Sequence, residues 1–184
     1  MQCDVVLGQI LDVRGASSSP KDVETMHALK TASYTARGPL LLGAALAGAT
    51  DAQRASLDAA AAPLGVAFQL RDDLLGAFGD PARTGKPRGG DLRQGKRNSL
   101  LLETSGDPHA TAAIEAVLGR ADAPEAAVVA ALDAMVKSGA KERVEARLGA
   151  LLAEARSILA RASLVEPGRG LLIGAVDALG MRED

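Results

Sequence analysis

The sequence is 184 residues long, which suits one domain with a self-supporting core, and its formal charge of −2 gives no global basic field. Nucleic acid is therefore not expected as a general partner, and any anion must be held by a local cluster. Alanine and leucine dominate, Tyr34, Phe68 and Phe78 are the only aromatics, and this composition predicts an all-α protein. Cys3 is the single cysteine, so an internal disulfide framework and a cysteine-based structural zinc site are excluded. His27 and His109 are distant in sequence, fit no metal-ligand spacing and read as ordinary. The apolar runs at 39–49 and 59–70 are too short and interrupted to span a bilayer. No basic segment precedes an apolar signal region, so a reduced cytoplasmic location is expected.

In chain order, 5–13 ("VVLGQILDV") reads as the end of a helix with an apolar face but no start signal. Residues 17–20 form a linker, and Asp22 with Glu24 and Thr25 marks the entry to a second helix, placing acidic groups at its positive end. That helix is expected to kink or break at Gly38-Pro39 and to resume through "LLLGAALAGA". A long helix follows over about 52–77, with Val66, Leu70, Asp73 and Ala77 on one face and with a bend or a fresh start at Pro63. Glycines and prolines crowd 79–95, where no regular element is expected. Helices are predicted over 98–103, 108–119, 124–138 and 141–162, the last carrying a stripe of Val144, Leu148, Leu151, Leu152, Ile158 and Leu159, and a final short helix covers 170–181.

Chemistry concentrates in "FQLRDDLLGAFGDPARTGKPRGGDLRQGKR", 68–97. Asp72 and Asp73 are adjacent on a helix, about 100° apart, and reach one cleft only if that helix forms its wall. Two carboxylates there repel unless a divalent cation neutralises them, and Mg²⁺ typically takes one or two carboxylates together with phosphate oxygens. Lys86 and Lys96 each follow a glycine that lets backbone approach, and lysine is a compact charge suited to phosphate. Asp91 between them can hold a metal-bound water or orient a lysine. The segment thus reads as a site for Mg²⁺ and a polyphosphate; the alternative is a solvated helix end followed by an exposed basic turn.

The order of these residues resembles the second aspartate-rich region of the trans-isoprenyl diphosphate synthases, the geranylgeranyl and farnesyl diphosphate synthase family. The resemblance rests on Phe68-Gln69, Asp72-Asp73, Phe78-Gly79-Asp80, Thr84-Gly85-Lys86, Asp91 and Gly95-Lys96. Upstream, "ALKTASYT" is similar to the family's lysine-threonine motif, with Lys30 and Thr31, and "GQILD" to the helix that lines the cavity with Gln9 and Asp12. The motif-bearing part covers 1–103, while 104–184 agrees only in being helical.

What this resemblance implies is an isoprenoid synthase-type helical bundle, usually a homodimer, that condenses isopentenyl diphosphate with an allylic diphosphate. Mg²⁺ ions grip the allylic diphosphate, its carbon–oxygen bond ionises, isopentenyl diphosphate attacks the cation, and proton loss completes the step. Carried over by position, Asp72 and Asp73 are metal ligands, Lys30 and Lys86 hold the allylic diphosphate, and Lys96 adds charge at the lid. Thr31 and Gln69 present oxygen dipoles to the cation in a water-poor cavity. Two departures stand out. Gly76 occupies the place of a third aspartate, and the family's first aspartate-rich motif and its glycine-lysine-arginine segment, which lie well upstream of the lysine-threonine motif, have no counterpart. The expectation is a C-terminal portion lacking the N-terminal helices, with little turnover alone. A non-catalytic subunit or decayed fragment associating with a full-length synthase is the chief rival, ahead of a terpene cyclase and a plain helical interaction domain.

Overall fold

The computed structural model describes residues 2–14, 19–85 and 87–181, and the described elements are helices joined by turns, with no strand among them. Lys86 lies outside the described residues. The described residues form two compact units: 2–14, 21–69 and 147–181 make the first, and 19–20, 70–85 and 87–146 the second.

The first unit begins with α1 (Gln2–Val13) and α2 (Pro20–His27). The helical run does not stop after α2 but widens into a π-helical segment, Ala28–Arg37, and then returns to α geometry as α3 (Gly38–Leu46). The expected break at Gly38-Pro39 is therefore a change of helical register. Gly38 still donates to the Ser33 carbonyl, the five-residue step of a π turn, and Pro39, with no N–H to place, falls at the start of the new α ladder. Within the segment Ser33 returns its hydroxyl to the Leu29 carbonyl at 2.8 Å and Thr35 returns its own to the Thr31 carbonyl. Such back-bonding competes with the α ladder and favours a locally distorted helix.

α4 (Asp51–Phe78) runs unbroken through Pro63, so the alternative of a helix start there is not realised. In the first unit its early half packs with α3, with the later half of α10 (Ala140–Arg161) and with α11 (Gly168–Gly180). Their core is Ala44, Leu57, Ala60, Leu159 and Val176, with Leu40, Leu64, Leu152 and Ile173 packed around it. Burying a leucine or valine of this kind contributes about 1.5–3 kcal/mol. Arg147 of α10 clamps Glu24 of α2 through two hydrogen bonds, 2.6 and 2.7 Å, the fork geometry arginine makes best.

The second unit holds the end of α4 and the glycine-rich stretch, where two single-turn helices form in place of the irregular loop expected: α5 (Pro81–Thr84) and α6 (Gly90–Arg93). Asp80 caps α5 by accepting from Ala82 N at 2.9 Å, and Gly85 ends it at φ 67°, a left-handed conformation that glycine adopts without strain. α7 (Ser99–Thr104) and α8 (Pro108–Glu115) start at the caps Asn98 and Asp107. Both pack on α9 (Glu125–Lys137), which buries Val128, Ala131, Leu132 and Met135 at helical spacing.

Candidate functional site

The candidate residues fall into two clusters, one in each unit. In the first unit, Lys30 and Thr31 stand on the π-helical segment. α1 and α4 approach this segment at glycines. A Cβ on Gly8 would lie 2.5 Å from the Lys30 backbone nitrogen, and one on Gly65 would lie 1.9 Å from the Ala32 Cβ. Atoms cannot stand that close, so these two glycines set how near α1 and α4 come to the residues bearing Lys30 and Thr31. Gly8 opens the "GQILD" stretch but has no role assigned to it there, and Gly65 precedes the acidic segment. The available signal is a glycine inside a helix, where it costs about 1 kcal/mol against alanine and so asks for a packing reason.

Lys30 Nζ donates to Asp12 Oδ2 at 2.5 Å, with roughly a third of each side chain exposed, 29% and 37%. Gln9 is exposed on α1, three positions before Asp12. Thr31 is buried, and its hydroxyl donates to Gln69 Oε1 at 3.0 Å. That bond orients the amide oxygen, and both oxygens keep further lone pairs. Beneath them His27 is buried with its Nδ1 unpartnered, and burial pushes its pKa down to about 4. Asp12 and Glu24 pull the value up and Lys30 presses it down, so His27 senses the charges of this cluster. An apolar cavity of about 530 Å³ opens elsewhere in the same unit, lined by Leu40, Leu57, Leu164 and Leu171 among others, and none of the candidate residues lines it.

In the second unit the adjacent aspartates part company. Asp73 lies on the buried face of α4 with Val66, Leu70 and Ala77, only 3% exposed, and its Oδ2 accepts from Ser99 N at 3.1 Å, at the start of α7. A buried carboxylate needs such partners, because leaving it unpaired costs far more than the bond returns. Asp72, rotated off that face, is exposed. The two side chains thus meet different surroundings on one helix.

The basic stretch is not an exposed turn throughout: Gly89, Gly90, Asp91 and Leu92 are buried. Arg93 donates to the Ala123 carbonyl and, at 2.7 Å, to Glu125, which ties α6 to the start of α9. Arg88 and Arg97 are exposed. Lys96 Nζ donates to Asp91 Oδ1 at 2.6 Å, the lysine-orienting role open to Asp91. Desolvation works against the Lys96 charge, but the bond to Asp91 and the fields of Asp91, Asp72 and Asp73 outweigh it, and its pKa is raised. Gly76 also has a physical reason: a Cβ there would stand 2.3 Å from Asp91 Oδ2 and 2.6 Å from its Cγ, so the Asp91 carboxylate occupies the space of any side chain at 76.

Among the described residues no group of three or more histidine, cysteine, aspartate or glutamate side chains is arranged to hold a metal. The donor set fits instead a Mg²⁺ ion bound mainly through water and phosphate oxygens, for which one exposed carboxylate, Asp72, suffices as a protein ligand.

Residues 1–135 match the family model for polyprenyl synthetase. Geranylgeranyl diphosphate synthase of Mycobacterium tuberculosis is 36% identical over 171 residues, 85% of this chain and 49% of that protein. Geranylfarnesyl diphosphate synthase of Aeropyrum pernix is 33% identical over 125 residues, 68% of this chain and 39% of its own. The crystal structure of geranylgeranyl pyrophosphate synthase from Corynebacterium glutamicum, complexed with isoprenyl diphosphate and magnesium, superposes with a TM-score of 0.91 at 34% identity, over 100% of this chain and 53% of that one. The chain thus spans about half the length of the relatives it matches. The described helices agree with those of the Corynebacterium glutamicum structure, and the chain belongs to the polyprenyl synthetase family.

Proposed function

We propose that this chain supplies the diphosphate-holding side of a Mg²⁺-dependent prenyl transfer, in which isopentenyl diphosphate is joined to an allylic diphosphate. The observation that carries the reading is in the second unit: the buried Asp91 holds Lys96 Nζ at 2.6 Å while the lysine side chain stays half exposed, and Asp72 is an exposed carboxylate near the end of α4. A carboxylate and an ammonium so arranged suit a metal-bound anion rather than a neutral ligand. Bound Mg²⁺ supplies charge stabilisation for the departing pyrophosphate. Asp72 then ligates the metal, and Asp73, committed in part to Ser99, steadies α4 beside it. Lys96 and Lys86 meet phosphate oxygens. In the first unit Lys30, released from Asp12, can meet an anionic oxygen, and Thr31 and Gln69 present oxygen dipoles suited to a cation.

The same reading assigns the chain little turnover by itself. Asp72-Asp73 is the only adjacent aspartate pair in the sequence, whereas the family's reaction uses a second set of carboxylates. A second reading, suited by the exposed apolar side chains Val6, Leu7, Ile10 and Val13 of α1, is a subunit that joins a full-length synthase as a hetero-oligomer in place of a homodimer. Calorimetry with inorganic pyrophosphate tests the main proposal: binding should require Mg²⁺ and weaken at least tenfold in Asp72→Ala. Equal binding with and without Mg²⁺ would sink it. Measurable chain elongation of an allylic diphosphate by the purified chain alone would overturn the assignment of low turnover.

A further inference from the structure

We propose that Gly76 and Asp91 are positioning residues for Lys96: the bare backbone at 76 is the seat on which the Asp91 carboxylate rests, and that seat fixes where the Lys96 ammonium stands. All three carboxylate atoms of Asp91 lie 2.3–3.1 Å from where a Gly76 Cβ would be, so the side chain is pressed against α4 itself. With Oδ2 on this backbone, Oδ1 is turned to Lys96 Nζ at 2.6 Å, and the Lys96 N–H bonds the Asp91 carbonyl at 3.0 Å. Lys96 is thus gripped at both ends by one residue. The Asp91 side chain is 7% exposed and has little room to swing, whereas Lys96 at 47% exposure keeps its ammonium open to a ligand.

The consequence runs against the simplest reading of the motif. Writing an aspartate into position 76, the commoner form of the acidic motif, adds a carboxylate to α4 but evicts Asp91 and releases Lys96. Glycine at 76 is then not a weakened metal site but the partner of a lysine placed for an anion. The ligand, a diphosphate, rests on the function proposed above; the seat itself does not.

The test uses the full chain and two readouts. The side-chain ammonium of Lys96, assigned through Lys96→Arg, is followed by nitrogen–proton NMR, where an ion-paired ammonium exchanges slowly enough to be seen. Mg²⁺-dependent binding of inorganic pyrophosphate is followed by calorimetry. Gly76→Ala and Gly76→Asp should each abolish the Lys96 signal and weaken pyrophosphate binding at least fivefold. Asp91→Asn, which keeps the volume and removes the charge, should do the same and guards against a glycine variant that fails to fold. In an Asp91→Ala background, Gly76→Ala should have no further effect, because the atoms it would strike are gone. The proposal is overturned if Gly76→Ala folds and leaves the Lys96 signal and binding intact, or if its effect is the same in the Asp91→Ala background. Loss of the Lys96 signal in a protein that never binds pyrophosphate would retain the seat and reject the diphosphate function.

Discussion

Asp72 and Asp73 differ by one position and about a hundred degrees of helix, and their replacement should separate two kinds of loss. Asp73→Ala leaves the Ser99 N–H without its buried acceptor, which costs about 1–3 kcal/mol, seen as a lower urea midpoint. Asp72→Ala, at an exposed position, should move stability by no more than about 0.5 kcal/mol while removing the Mg²⁺ dependence of pyrophosphate binding. Equal destabilisation by both would contradict the burial difference. A third residue, His27, sets a pH dependence. Its pKa is 6.5 in the unfolded chain and about 4 in the folded one, so between these values the unfolded state binds the extra proton. Stability from this group is complete above pH 6.5 and is lost as pH falls toward 4, in total about 3 kcal/mol. His27→Gln should flatten the slope of unfolding free energy against pH across that window, and an unchanged slope would refute the assignment. The acidic pair and the lysines were legible in the sequence as residue types in an order. Their division of labour was not, because which of two neighbouring side chains is buried depends on where α4 meets α7. His27 read as ordinary for the same reason: its burial and its charged neighbours come from α1, α2 and the π-helical segment together.

Most helices were readable from periodicity and caps. Asn98 and Asp107 open α7 and α8 where the chain changes from turn to apolar spacing, and the α10 stripe is buried at Val144, Leu148, Leu151 and Leu159. The π-helical segment was not readable, because its widening depends on hydroxyl back-bonds and on the close approach of two other helices. Glycines separate local preference from tertiary need. Gly8→Ala and Gly65→Ala force a methyl against Lys30 and Ala32, and each should destabilise by about 1–3 kcal/mol. Gly149→Ala in α10 and Gly174→Ala in α11 meet nothing within 4 Å and should stabilise by about 0.5–1 kcal/mol through helix propensity alone. Thermal melts of the four variants check the contrast, and a gain from Gly8→Ala would show that α1 does not rest on the Lys30 backbone. Single-turn helices α5 and α6 escaped the sequence reading because four residues carry no period; their caps, Asp80 and a glycine at φ 68°, are the only local signs.

At the scale of the whole molecule, alanine and leucine content sufficed for the fold class, and motif order sufficed for the family. What covers the surface is a separate matter, decided by exposure. α1 leaves Val6, Leu7, Ile10 and Val13 from 42% to 78% exposed along one side, and α3 adds Leu42 at 62% and Leu46 at 82%. Single exposed apolar residues need no explanation, but a helix presenting four at helical spacing offers a face that gains by burial. No described helix is long and apolar enough to cross a membrane. The expected outcome is association through α1 as the protein is concentrated, visible as a rising sedimentation coefficient. Because the face is apolar, raising salt should not weaken that association, whereas an assembly held by surface ion pairs would loosen as its charges are screened. Val6→Lys with Val13→Lys places two charges two turns apart on the same face and should hold the protein as the smallest species, with the helical circular dichroism unchanged. A wild-type chain that sediments as a monomer at every concentration, or a double variant that associates as readily, would show that α1 is not the surface through which copies meet.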